Sequence, residues 1–393
     1  MILRLSAPAF TLPQAASRRE AVETADRVFR QPAPEGQAQT RVVATLGPAS
    51  SSVETLSGML QAGLDVARLN CSHVTDYAPA EAMLANLRTA SDATGKPVSV
   101  LLDLRGSKVR IGELPGGKLT VRKGDPLVLG PGGITFEPEH LVQAMEPGRL
   151  ILLKDGAVTL RVLERGPDGV ECQVVAGGTL TDRCGVAIPG SSVRIPAFTD
   201  KDRRDLEWGL KQGVTMAAVS MVQCAEDLEE VRRFLDERGS SIPLVAKIED
   251  VMALRNLDEI IQAADVIMVA RGDMGVQIPR QFVPLIQKQI IARCRELGKP
   301  VIVATEMMES MIEKPRPERA EDSDVINAFI DGAHAVMASG ETAVGKFPVD
   351  VVRFMDEDVR AAEEAAGMGA LFTPERFSSA YWQRLIDRVQ QAA

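Results

Sequence analysis

Short runs of apolar residues recur along the chain, each followed by a stretch whose apolar positions have helical spacing. The runs fall at 41–46, 65–70, 98–103, 215–219, 243–248, 266–269, 301–304 and 334–338. Between them, segments such as 52–62, 78–90, 225–237, 280–297 and 319–331 read as amphipathic helices. A strand that is apolar at nearly every position is buried on both faces, the condition of a parallel sheet covered by helices. Eight such units predict an α/β fold, a closed (β/α)8 TIM barrel.

One stretch breaks the rhythm. From 111 to 195 glycine and proline are dense (GELPGGK, GPGG, RGPDG, IPG), and apolar residues alternate, as in Val158-Thr-Leu160-Arg-Val162. This predicts an all-β lid domain inserted after the third strand. The catalytic barrel is then 40–110 and 196–364, its last helix at 349–364. Residues 1–39 form a loosely attached N-terminal lead-in. Residues 365–393 are a short C-terminal tail in which Arg384, Leu385, Ile386 and Val389 suggest one closing helix.

Composition narrows the class without choosing a function. Hydrophobic residues make up 45% and charged residues 25%, the balance of a globular protein. A net charge of −9 argues against a polyanion-binding surface such as one for nucleic acid, while leaving room for a local basic cleft. No window approaches the roughly 18 uncharged apolar residues that would cross a bilayer, so no membrane partner is expected. Arg4, Ser6, Pro8 and Pro13 interrupt any signal-like core, and the chain reads as cytoplasmic. Cys71, Cys172, Cys184, Cys224 and Cys294 are widely spaced and lack a CxxC pair, so buried thiols are expected.

The chemistry gathers where the predicted strands end. Strand two ends in ARLNCSH, with Arg68, Asn70, Ser72 and His73. Strand three ends in LLDLRGSKVR, with Asp103, Arg105, Lys108 and Arg110. Strands five to eight end in AKIED (Lys247, Glu249), VARGDMG (Arg271, Gly272, Asp273), ATEMMES (Thr305, Glu306) and ASGETA (Ser339, Glu341). Catalytic groups of such barrels come from these ends. Glu249 and Asp273 are hard oxygen donors suited to Mg²⁺, and Arg68, Arg110 and Lys247 can neutralise a phosphoryl group in transfer. The segment Gly112–Lys118 has the glycine and lysine spacing of a P-loop, but Leu119 replaces the required hydroxyl residue and no helix follows. Met307, Met308 and Met311 read as core filling. Of the histidines, His140 reads as surface and His334 as a satisfied strand residue.

At these residues the sequence resembles the pyruvate kinase family. The likeness runs from about Thr40 to Glu364 and includes TRVVATLGPAS, AGLDVARLNCSH, KIED, DVIMVARGDMGV and MASGETAVGKFP. It is nearly unbroken from Lys299 to Pro348. The resemblance implies phosphoryl transfer from phosphoenolpyruvate to ADP, giving pyruvate and ATP, with Mg²⁺ or Mn²⁺ as cofactor. Glu249 and Asp273 are similar to the divalent-metal ligands. Lys247 is similar to the group that stabilises the moving phosphoryl, and Arg68 and Arg110 to the phosphate-binding arginines. Gly272, Asp273 and Thr305 resemble the segment that holds the substrate carboxylate, with the Thr305 hydroxyl near the enolate protonation path. Pro48, Arg68, His73 and Lys201 match nucleotide-side positions.

The departures carry their own expectations. Asn70, Ser72 and Asp103 match three ligands of the family's monovalent-cation site, but Leu104 stands for a threonine. Lys108 replaces the glutamate of K⁺-dependent members, so its ammonium is expected to stand in for K⁺ and K⁺ should not be required. Met221 and Gln223 replace an aromatic and a cation after strand four, Glu306 a glutamine, and Gln277 a glutamate. The family's C-terminal regulatory domain is expected to be absent, and a homo-oligomer, a dimer rather than a tetramer, is expected. The alternatives are a Mg²⁺-dependent enzyme forming an enolate of pyruvate or a related 2-oxo acid, and a non-catalytic metabolite-binding homologue.

Overall fold

The computed structural model describes residues 18–33, 38–137, 141, 145–191, 193–367, 383 and 387. Eight parallel strands close a barrel in chain order: β1 (Arg41–Thr45), β2 (Leu64–Asn70), β3 (Ser99–Asp103), β4 (Met216–Val219), β5 (Leu244–Ile248), β6 (Val266–Ala270), β7 (Val301–Ala304) and β8 (Ala335–Ala338). The continuous apolar runs are explained by two cores. Val43, Val66, Leu101, Met216, Val245, Met268, Ile302 and Met337 point inward and fill the barrel. The alternate residues, among them Val42, Ala67, Leu102, Val219, Val269 and Val303, pack outward against the helices. Register enforces this layering, since Val43 pairs with Val66 on one side and Met337 on the other.

Helix ends are set by local chemistry. The Ser52 hydroxyl accepts from Thr55 N at 3.1 Å to start Val53–Ala62. Gly63 ends that helix at φ 117°, where an added Cβ would meet the Asp356 carboxyl at 2.8 Å. The final barrel helix spans Pro348–Gly367.

The lead-in is not loose throughout. Residues Arg18–Phe29 form a helix whose Ala25 and Phe29 join the inner barrel core and plug its lower end. Burying a phenylalanine side chain contributes about 1.5–3 kcal/mol. Arg41 ties the helix down, donating to Val28 O at 2.8 Å and Gln31 O at 2.6 Å. The suggested helix around Leu385 and the side chain of His140 lie outside the described residues.

Between β3 and β4 the chain builds antiparallel sheets with their own core. Val158, Leu160, Val162, Val170, Cys172 and Val174 alternate inward from the paired strands Val158–Gly166 and Gly169–Ala176. Arg110 belongs to this unit, since the short strand Arg110–Ile111 pairs with Phe136–Glu137. All five cysteines are free and buried. Among the described residues, no helix is long and apolar enough to cross a membrane.

His334 lies at the lower rim and accepts from Val301 N through Nδ1 at 3.4 Å. Burial, with Arg30 and Arg295 nearby, pushes its pKa down to about 4. The unfolded chain therefore binds this proton between about pH 6.5 and 4 while the folded chain does not. The group's contribution is complete above the unfolded pKa and is lost as pH falls through the folded one. Wild type minus His334→Gln should show stability falling by up to about 3 kcal/mol across that window, read by urea unfolding at successive pH values. A difference independent of pH would contradict this.

Candidate active site

Four strand ends meet through one buried carboxylate. Asp103, at the end of β3, is 1% exposed. Its Oδ2 accepts from Arg68 Nε at 2.7 Å and lies 2.7 Å from Arg68 Nη2. Its Oδ1 lies 3.4 Å from Lys247 Nζ. Arg68, from β2, also donates to the Thr45 hydroxyl on β1 at 2.8 Å. Lys247, from β5, donates to the Ser220 hydroxyl at 2.7 Å and lies 2.9 Å from Glu249 Oε1. Ser220 in turn donates to Leu104 O at 2.7 Å.

Burial costs these charges their hydration, and mutual pairing compensates. Burial alone would push the Asp103 carboxyl up, but Lys247 and Arg68 outweigh it and hold its pKa below the ordinary value. Burial alone would lower Lys247, but Asp103, Glu249 and Asp273 hold it well above the ordinary lysine range. Lys247 is therefore a permanent cation.

Glu249 and Asp273 fit a divalent ion. Glu249 Oε2 accepts from Met221 N at 2.6 Å, and the buried Oε1 faces the Lys247 ammonium at 2.9 Å. Burial pushes Glu249 up to about 7; Lys247 opposes this and Asp273 adds to it. Burial would raise Asp273 too, but Lys108 and Lys247 bring it below its ordinary value. Two carboxylates side by side, one of them fully buried, form a donor set that fits a divalent cation. Among the described residues no three His, Cys, Asp or Glu side chains gather as a complete metal cage. Two carboxylates suffice for Mg²⁺, which takes its remaining oxygens from substrate and water.

A strained turn supplies the next wall. Thr305 and Glu306 follow β7 with φ 70° and 54°, unfavourable for a β-branched residue. Arg271 holds the turn: it is 8% exposed and donates to Thr305 O at 2.5 Å and Glu306 O at 3.1 Å, with Asp324 Oδ2 at 2.6 Å. The Thr305 hydroxyl accepts from Gly272 N at 2.8 Å and donates to Ala304 O at 2.6 Å. Thr305 thus stands directly over the Gly272–Asp273 segment.

The other expected residues are more scattered. Lys108 makes its ion pair with Asp273 at 2.5 Å, and among the described contacts none joins it to Asn70 or Ser72. Asn70 Oδ1 accepts from Ser72 N at 3.0 Å, and Asp103 is taken by Arg68 and Lys247. Arg110 stands on the lid link and donates to Arg183 O at 2.9 Å. Lys201 pairs with Asp205 at 2.5 Å and reaches Cys71 O at 3.0 Å. Pro48 opens the short turn Pro48–Ser50. His73 lies in the turn Cys71–His73, its side chain outside the described structure.

Lys108, Met221, Gln223, Glu249, Asp273 and Gln277 line a cleft between lid and barrel. The Gln223 amide is a strut there, accepting from Ile195 N on the returning lid link and donating to Asp250 Oδ2, both at 3.0 Å. Glu306 is exposed. Sequence reasoning missed Thr45 and Ser220, and it named Arg271 without its clamp role. Ser220 was findable as the polar residue ending β4.

A closed parallel barrel with a charged centre across its strand ends is the architecture of an α/β-barrel enzyme. Residues 37–352 match the family described as "Pyruvate kinase, barrel domain". The chain belongs to the pyruvate kinase family. It is 42% identical over 83% of its length to the pyruvate kinase of Geobacillus stearothermophilus, spanning 57% of that relative. It is 43% identical over 82% of its length to that of Mycobacterium tuberculosis, spanning 70% of it. A Cryptosporidium parvum pyruvate kinase structure superposes with a TM-score of 0.80 at 35% identity, covering 88% of this chain and 75% of that one.

Proposed function

We propose that the chain moves the phosphoryl group of phosphoenolpyruvate to ADP, giving pyruvate and ATP, with Mg²⁺ or Mn²⁺ held by Glu249 and Asp273. The carrying observation is the buried Lys247 ammonium wedged between Asp103, Ser220 and Glu249, with Asp273 near enough to help hold its charge. A divalent ion bound there would neutralise charge on the substrate oxygens. The rest is positioning. The three acceptors around Lys247 aim its N–H groups, and an incoming phosphoryl oxygen replaces one of them. Arg68 is fixed by Asp103 and Thr45 to meet the same group. As the phosphorus–oxygen bond to the enolate breaks and the bond to ADP forms, both cations are already in place without reorganisation. The segment of Gly272, Asp273 and Thr305 holds the substrate carboxylate, and the enolate carbon takes its proton on the Thr305 side. Pro48, Arg68, His73 and Lys201 contact the nucleotide, and Arg110 joins Arg68 in binding the phosphoryl group. The free thiols suit a reducing compartment such as the cytoplasm.

K⁺ is not required in this reading. Lys108 delivers a fixed positive charge to Asp273, on the divalent pair rather than among Asn70, Ser72 and Asp103. Purified protein with Mg²⁺, phosphoenolpyruvate and ADP should form ATP, lose activity with EDTA, and gain nothing from KCl. Strong stimulation by K⁺ would remove the Lys108 argument. Absence of ATP with proton exchange into pyruvate would replace the reading by enolate chemistry without phosphoryl transfer.

A further inference from the structure

Two arginines stand on the link from β3 into the lid. Among the described residues, Arg105 makes no side-chain hydrogen bond or ion pair, and Arg110 makes only the hydrogen bond to Arg183 O. Both Nε–H groups are buried without an acceptor. An arginine that merely turns outward keeps its donors in water; a sealed, unanswered donor is costly. The guanidiniums also act on each other. After burial, Arg105 is the largest influence lowering Arg110, ahead of the opposing Asp155 carboxylate on the lid.

The mount is rigid. Leu104 N donates to Ala218 O at 2.9 Å and Gly106 N to Asp202 Oδ1 at 3.1 Å. Gly106, at φ 64°, lies so close to Ser220 that an added Cβ would sit 2.8 Å from its carbonyl oxygen. Ser220 is the residue whose hydroxyl holds Lys247. Two like charges, each with its Nε–H buried and unanswered, therefore stand on one rigid link beside the charged centre.

We propose that Arg105 is a substrate-binding residue which, with Arg110, holds the oxygens of a phosphoryl group. The planar guanidinium fork suits such an oxyanion. This rests on the phosphoryl-transfer reading and adds a residue to it. The test is calorimetric binding of ADP and of phosphoenolpyruvate, measured separately, to wild type, Arg105→Gln and Arg105→Lys. Arg105→Gln should weaken one of the two ligands by roughly tenfold or more, Arg105→Lys should recover part of that, and melting temperatures should not fall. Unchanged affinity for both ligands in Arg105→Gln overturns the proposal; if that variant misfolds, Arg105→Lys serves the same comparison. Binding is read without turnover, so the two readings fail separately. A wild type that binds but forms no ATP sinks only the transfer reading. A wild type that forms ATP, with Arg105→Gln binding unchanged, sinks only this one.

Discussion

On the proposed phosphoryl-transfer chemistry, replacing Lys247 with methionine should lower ATP formation by about 10³-fold or more, since removal of one preorganised contact alone typically costs ~10²–10³. The reason is local. Lys247 is the buried cation that touches both the Asp103 carboxylate and a metal-ligand candidate, Glu249. Methionine fills much of the same volume but brings no charge to a phosphoryl oxygen. Stability should change less than activity. Asp103 keeps Arg68, and Glu249, already pushed up to about 7, can take a proton once its cation is gone. Steady-state rates beside a thermal melt check this; comparable losses in both would point to a structural lysine instead.

Asp103→Asn should have the larger effect on folding. This carboxylate is the single anion shared by Arg68 and Lys247, and it is buried. An asparagine amide accepts from one cation at most and turns an N–H₂ toward the other. Breaking a buried pair this way destabilises by about 3–5 kcal/mol, because charge is left without compensation. Urea unfolding of wild type and variant reads it directly. A change under about 1 kcal/mol, the range of exposed pairs, would show that water already screens the cluster.

The barrel was legible because parallel strands buried on both faces leave continuous apolar runs, and charges placed straight after such runs have few other reasons to be there. Glu249 and Asp273 were readable in this way, Arg68 and Lys247 as charges near the ends of largely apolar strands, and Thr305 as the polar residue that follows one. Partnerships were less so. That Lys108 pairs with Asp273, or that Ser220 supports Lys247, depends on which rim residues face one another, and no periodicity encodes it. The plug helix had a visible pattern, Ala21, Ala25 and Phe29 four residues apart, but it sits between two proline-containing segments. Its partners, the inward residues of all eight strands, are assembled only by barrel closure. Arg271 looked like another rim charge, whereas its task is to hold the carbonyls of a strained turn.

The most direct test of the account is a single-turnover measurement with protein in excess over phosphoenolpyruvate labelled in its phosphoryl group, plus Mg²⁺ and ADP. Wild type should pass the label to ADP, and Lys247→Met should pass almost none on the same timescale. Label released as inorganic phosphate, or equal transfer by both proteins, would contradict a phosphoryl-transfer centre built on Lys247, Glu249 and Asp273.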